Sequence, residues 1–159
     1  MNIQYGKATL NNIEELVQLR LDYLLEDYGT LTDEQIEKMK ASLPEYYLKH
    51  LNKDLFVYIA REEVIISCCF LLVSEKPANP SFINGRTGTV LNVYTKREYR
   101  RRGIARELME QLLAEAEQMG LDFVELKATD AGYNLYKTVG FKDVDSKYHN
   151  MKRVFGKVL

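Results

Sequence analysis

From Leu91 to Arg106 the chain passes from a strand-like run, through a turn crowded with Lys and Arg, into a helix. Val90, Leu91, Val93 and Tyr94 suit a pleated surface. From about Arg102 to Met119, Ile104, Leu108, Leu112 and Ala116 recur at helical spacing, and Ala105, Met109, Leu113 and Met119 widen the stripe. Gly120 ends the pattern. A turn feeding such a helix lies beside backbone N–H groups that have no intrahelical partner, at the positive end of the helix dipole. Gly103 allows close backbone approach, and Ala105 adds only a methyl group. A basic turn is often just a solvated surface, but the order strand, turn, capped helix is that of a pyrophosphate cradle.

The charge is local. Lys96 to Arg106 holds six basic residues against one acid, Glu98, while the 159-residue chain has a formal net charge of −1. Asn11 to His50 reverses the balance, with nine acids against four Lys or Arg. A whole-surface nucleic-acid binder is expected to be more basic than this. The adjacent Cys68 and Cys69 lie in an apolar run, where strand alternation points them to opposite faces. They are expected to be core thiols, not a disulfide or metal pair. With no leader-like start and no apolar stretch near ~20 residues, the expected location is cytoplasmic.

In chain order, Ile3 to Ala8 reads as a strand, and Thr9 or Asn11 caps a helix through Ile13, Leu16, Leu19, Tyr23 and Leu24 that Gly29 ends. Thr32 to Gln35 is a capping box, and Pro44 opens a separate helical piece, Glu45 to Leu51. Leu55 to Ala60 and Val64 to Ser74 form a hairpin of central strands, and Glu75 to Arg86 is a loop. Thr87 to Tyr94 is the strand before the basic turn, Leu121 to Ala128 the strand after the long helix, and Gly132 to Thr138 a short helix. Phe141 to Val144 and Tyr148 to Val154 are expected to close the sheet. Without a linker, repeat or low-complexity segment, residues 1–159 read as one domain. The fold class is α/β: a mixed sheet, antiparallel early and parallel where helices intervene. The segments after Tyr94 and Ala128 leave the carboxyl ends of neighbouring parallel strands, where ligands bind.

Arg100-x-x-Gly103-x-Ala105 resembles the first signature of the GNAT superfamily of acyl-CoA-dependent N-acetyltransferases. The segment from Gly132 through Leu135-Tyr136 to Gly140-Phe141 resembles its second, with Gly132 in place of the family's alanine and Thr129 in place of a frequent asparagine. The resemblance covers nearly the whole chain. It implies a central splayed pair of parallel strands, acetyl-CoA as co-substrate, no metal, and an acetyl group passed to a primary amine. It also implies that backbone groups of Val93, Tyr94 and Thr95 hold the pantetheine arm. The amides of Arg101, Arg102, Gly103, Ile104 and Ala105 would hold the pyrophosphate, with Arg100 or Arg102 side chains assisting. Tyr136 would donate a proton to the departing sulfur.

No carboxylate stands near Thr89, where some relatives carry a glutamate base, so a water chain is the expected base. Asn92 is expected to share a sheet face with Val90 and Tyr94 and to orient a water or the acceptor. Glu125, His50 and His149 read as surface residues. The acidic stretch before His50 suggests a cationic acceptor. Nucleic acid and membrane are not expected partners, and a homodimer is left open. The rival functions are a GNAT-fold module that binds acyl-CoA without catalysis and, behind it, an anion-binding or nucleic-acid-binding domain.

Overall fold

The computed structural model describes residues 2–156. In chain order its elements are Gln4–Lys7 (β1), Ile13–Tyr28 (α1), Asp33–His50 (α2), Leu55–Arg61 (β2), Ile65–Glu75 (β3), Arg86–Thr95 (β4), Ile104–Gln118 (α3), Val124–Glu125 (β5) and Tyr133–Thr138 (α4). The five strands lie in the order β1-β2-β3-β4-β5. Pairing is antiparallel as far as β4, and β4 and β5 run parallel across the α3 crossover. This is the mixed α/β sheet expected from the sequence.

Each face of the sheet carries its own core. Leu16 and Leu19 of α1 and Tyr47 of α2 pack with Val57, Cys68 and Phe70 on one side. Ile104, Leu108 and Leu112 of α3 pack with Tyr58, Cys69, Leu71 and Val90 on the other. Cys68 and Cys69 are therefore buried free thiols on opposite faces, as strand alternation requires.

Both capping expectations hold. Thr9 caps the 3₁₀ turn Leu10–Asn12 that leads into α1, and Thr32 and Gln35 form a reciprocal box at the start of α2. Pro44 does not open a separate helix, because α2 continues through it. Proline removes one internal hydrogen bond. Leu43, Tyr46 and Tyr47 pack on the core around it, and that contact holds the helix together.

The sheet is irregular in two places that shape the site. Phe70 pairs with Leu91 but Cys68 pairs with Tyr94, so β4 carries one extra residue at a bulge. Asn92 sits there with φ 52°, in the left-handed region that asparagine tolerates. The bulge overturns the expected common face: Val90 lies in the α3 core, while Tyr94 packs against the α1–α2 core. The second irregularity is the brevity of β5. Leu121 to Ala128 is not one strand, since β5 pairs with β4 only at Gly88–Val124 and Thr89–Glu125. Gly88 permits that approach, because a Cβ there would stand 2.7 Å from Leu71 Cδ1 and 3.0 Å from Leu121 Cδ1. Beyond Thr89 the two chains part.

The expected closing strands also differ. Among the described residues, the segment after Phe141 forms no strand. It is anchored to α4, where Asp143 accepts from Tyr133 and from Lys137. Val144, Tyr148 and Met151 are exposed, so these side chains lack the burial that would favour strand over coil.

Candidate active site

Where β4 and β5 diverge, a cleft of about 610 Å³ opens. One wall is the end of β4, with Val93, Tyr94 and Thr95; a second is the basic turn and the start of α3. Ala131, Gly132, Leu135 and Tyr136 form a third, and Tyr23, Glu26 and Asp27 close it from the last turns of α1. Because strand pairing stops at Thr89, the β5-side edge of β4 from Val90 to Thr95 has no strand partner among the described residues. An extended ligand can add to such an edge through main-chain hydrogen bonds.

The basic turn is shaped as an anion cradle. Arg101 has φ 63° and Gly103 φ 78°, left-handed conformations of the kind found in anion-binding backbone nests. Gly103 caps α3 with no side-chain hydrogen bond. Among the described residues, the N–H groups of Arg101, Gly103, Ile104 and Ala105 donate to no backbone carbonyl. These donors, at the dipole's positive end, fit a pyrophosphate. Arg102 lies over the Tyr99 ring at 5.4 Å, beside the same turn.

Arg100 is held by protein groups on two sides. Its Nε donates to the Thr95 carbonyl at 2.8 Å, and its two terminal nitrogens donate to the Glu26 carboxylate at 2.7 and 2.6 Å. The guanidinium also lies over the Tyr94 ring at 5.6 Å. Three of its five N–H donors thus already have protein acceptors, beside the backbone amides of the cradle. The hydrogen bonds from Arg100 hold the Glu26 carboxyl below its ordinary range.

Tyr136 stands across the cleft from β4. Burial pushes its phenol up to about 12, with Tyr23 and Cys69 adding to the effect. Its hydroxyl has no hydrogen-bond partner among the described residues. The ring meets Phe141 edge-on at 6.0 Å between centroids. It divides the cleft from a second hollow of about 690 Å³ that Leu121, Phe123, Leu126 and Val139 line on the far side of α4. That hollow has neither the N-terminus of α3 nor the edge of β4 in its walls, and both border the smaller space.

Asn92 is not among the cleft-lining residues. It is 3% exposed. Its Oδ1 accepts from Arg20 at 3.1 Å, and its Nδ2 lies 3.5 Å from Cys68 Sγ. The amide thus fastens the bulge that turns the end of β4 toward the opening. Thr129 lines the cleft and its Oγ1 accepts from the Gly132 N–H at 3.2 Å, which fixes the entry to α4. Glu125 lies outside this cleft and borders the second hollow, and His50 pairs with Asp54 at 2.8 Å.

Sequence reasoning missed Tyr23, Glu26 and Asp27. Their spacing of three and four residues puts them on one side of the last turns of α1, a signal present in the sequence. Nothing in it said that this side would face the basic turn. Among the described residues no group of His, Cys, Asp and Glu side chains is arranged to hold a metal. No helix among them is long and apolar enough to cross a membrane.

Known structures share this fold. A crystal structure of an acetyltransferase assigned by prediction from Clostridium acetobutylicum, determined with acetyl-CoA, superposes with a TM-score of 0.83 at 29% identity, covering 95% of this chain and 96% of that one. A GCN5-related N-acetyltransferase from Ralstonia eutropha JMP134 gives 0.78 at 22% identity, over 94% of this chain and 99% of that one. Glucosamine-6-phosphate N-acetyltransferase from Arabidopsis thaliana shares the fold at a TM-score of 0.65 and 17% identity, over 98% and 100% of the two chains. Among curated protein sequences none matches. Residues 13–141 match the family model for the acetyltransferase (GNAT) family, a span that takes in both signatures and every wall of the cleft, so the chain belongs to that family.

Proposed function

We propose that this protein transfers the acetyl group of acetyl-CoA to a primary amine by direct attack in a ternary complex. The observation that carries this reading is the meeting, in one cleft, of the unpaired β4 edge, the α3 amide cradle and the Tyr136 phenol. Bound acetyl-CoA supplies the activated acetyl group: the amine nitrogen bonds to the carbonyl carbon, and the carbon–sulfur bond breaks.

The residues divide the remaining work. Amides of Arg101 to Ala105 hold the pyrophosphate, with the Arg102 side chain adding charge. Backbone groups of Val93, Tyr94 and Thr95 align the pantetheine arm, and an N–H of this edge polarises the thioester carbonyl. Asn92, with Arg20 and Cys68, acts through the shape of the bulge. The Tyr136 phenol donates a hydrogen bond to the departing sulfur and stays protonated at working pH, since burial raises its pKa to about 12. No carboxylate occupies position 89, so water removes the amine proton.

The acceptor is an amine on a cationic molecule. Glu26 and Asp27 both line the cleft from α1, and the Glu26 charge is spent on Arg100. Asp27 is therefore the acid available to a second ammonium group. The test is thiol release from acetyl-CoA with a panel of ethanolamine, an amino sugar, glycine, glutamate, spermidine and a lysine-rich peptide. Fastest release with spermidine or the peptide is expected. Release only with glutamate contradicts the cationic acceptor. Tight acetyl-CoA binding without release for any amine favours an acyl-CoA-binding module without catalysis.

A further inference from the structure

We propose that Gly132 is a positioning residue: it leaves the space into which the Tyr136 ring settles, and so sets where the phenol stands in the cleft. This rests on the role proposed above for Tyr136.

Side chains on a helix lean toward its N-terminus, over the residue four positions earlier. For Tyr136 that residue is Gly132, whose carbonyl also accepts the Tyr136 N–H at 3.2 Å. A Cβ built on Gly132 would stand 2.8 Å from Tyr136 Cε2 and 3.1 Å from both Cζ and Oη. Carbon atoms in good contact lie about 3.5–4.0 Å apart, so one added methyl displaces the ring. The ring is held at its edge by Phe141, which limits the directions open to it. Only the far end of the side chain collides, so the ring and its hydroxyl shift while α4 stays in place.

Backbone conformation does not explain the glycine. Gly132 has φ −89° and ψ −14°, in the right-handed region open to any residue. Five other glycines have positive φ, and a Cβ on Gly88 would meet core side chains. Gly132 is the glycine whose missing Cβ faces a cleft-lining side chain. The sequence shows it only as a departure from the alanine that the family's second signature carries. In this chain that alanine would push the phenol from its position opposite the end of β4.

A double-mutant cycle of the intact protein, Gly132→Ala, Tyr136→Phe and both, tests this. Single-turnover thiol release from acetyl-CoA is followed with the fastest amine of the panel above, together with acetyl-CoA affinity and melting temperature. Gly132→Ala is expected to fold, to bind acetyl-CoA within about twofold of the parent, and to release thiol roughly tenfold more slowly, since displacement by ~1 Å can cost up to ~10²-fold. In the Tyr136→Phe background the same alanine is expected to change the rate less than about twofold, because the hydroxyl it would misplace is gone. An unchanged rate in Gly132→Ala beside a slow Tyr136→Phe overturns this proposal and leaves the role of Tyr136 standing. An equal loss in both backgrounds overturns it too, because the effect then bypasses the phenol. Failure of Gly132→Ala to fold assigns the glycine to packing alone. Full activity in Tyr136→Phe removes the phenol from the mechanism, and the proposal falls with it.

Discussion

Arg100 and Glu26 meet in a two-pronged ion pair, at 2.7 and 2.6 Å, that ties the turn before α3 to the last turn of α1. Through its Nε, Arg100 also holds the Thr95 carbonyl, so one guanidinium fixes three walls of the cleft relative to one another. Both side chains are more than a third exposed, which limits the pair to roughly 0.5–1 kcal/mol of stability. The larger effect is expected on binding. Glu26→Gln should raise the KM for acetyl-CoA several-fold with little change in melting temperature, and Arg100→Lys should do the same because it loses the fork. Steady-state kinetics of the two variants check this. Because Arg100 lowers the Glu26 pKa, the pair is complete above the ordinary carboxylate pKa and is lost as pH falls through the lower folded value.

The cradle makes a separate prediction. Arg102→Glu should weaken acetyl-CoA binding about tenfold and flatten its dependence on salt, whereas Glu117→Lys, toward the far end of α3, should do little. Gly103→Ala should also weaken binding. Nothing lies within 4 Å of its missing Cβ, so the cost is that of φ +78° alone, about 1–2 kcal/mol. Calorimetric titration at two salt concentrations separates charge from shape.

Tyr136 links structure to pH. Its phenol is raised to about 12 by burial, so the rate of thiol release should show no falling limb from its ionisation between about pH 8 and 10. The folded state keeps this proton where the unfolded chain releases it. The stability linked to it is therefore complete below about pH 10 and is lost as pH rises through the folded value near 12. Burial shifts Tyr47 and Tyr58 in the same direction, which adds to alkaline unfolding. Tyr136→Phe should lower turnover by ~10²-fold, the low end for general acid assistance. Melting curves across alkaline pH and a pH–rate profile check the two statements.

Gly88 tests the architecture that opens the cleft. Alanine there would place a methyl 2.7 Å from Leu71 Cδ1 and within 3.4 Å of Val124 Cγ2. Overpacking of this kind costs about 1–3 kcal/mol. Gly88→Ala should therefore lower the urea midpoint, and by pushing β5 away it should also raise the acetyl-CoA KM.

The parts legible in the sequence are those that local chemistry determines. The helical stripe from Ile104 to Ala116, the Thr32 capping box and the opposed Cys68 and Cys69 each follow from spacing within a few residues. The tight turn ahead of α3 was legible because Gly103 and its neighbours set the backbone. What escaped depends on distant partners. A β-bulge at Asn92 moves Val90 and Tyr94 to opposite faces, and strand alternation read along β4 alone cannot reveal it. The destination of Arg100 depends on Glu26, 74 residues away. Pro44 marks a helix start by local rule, yet Tyr47 packing carries α2 through it. The short β5 and the coil after Phe141 reflect how far strands pair, which alternation does not encode.

Acetyl-CoA is expected to lie along the β4 edge with its pyrophosphate at the α3 N-terminus. Amide hydrogen exchange of the intact protein with and without acetyl-CoA tests that placement most directly. The predicted result is slowed exchange at Arg101 to Ala105 and at Val93 to Thr95, with smaller changes elsewhere. Protection confined to the segment from Leu121 to Val144 around the second hollow, with the basic turn unchanged, would contradict it.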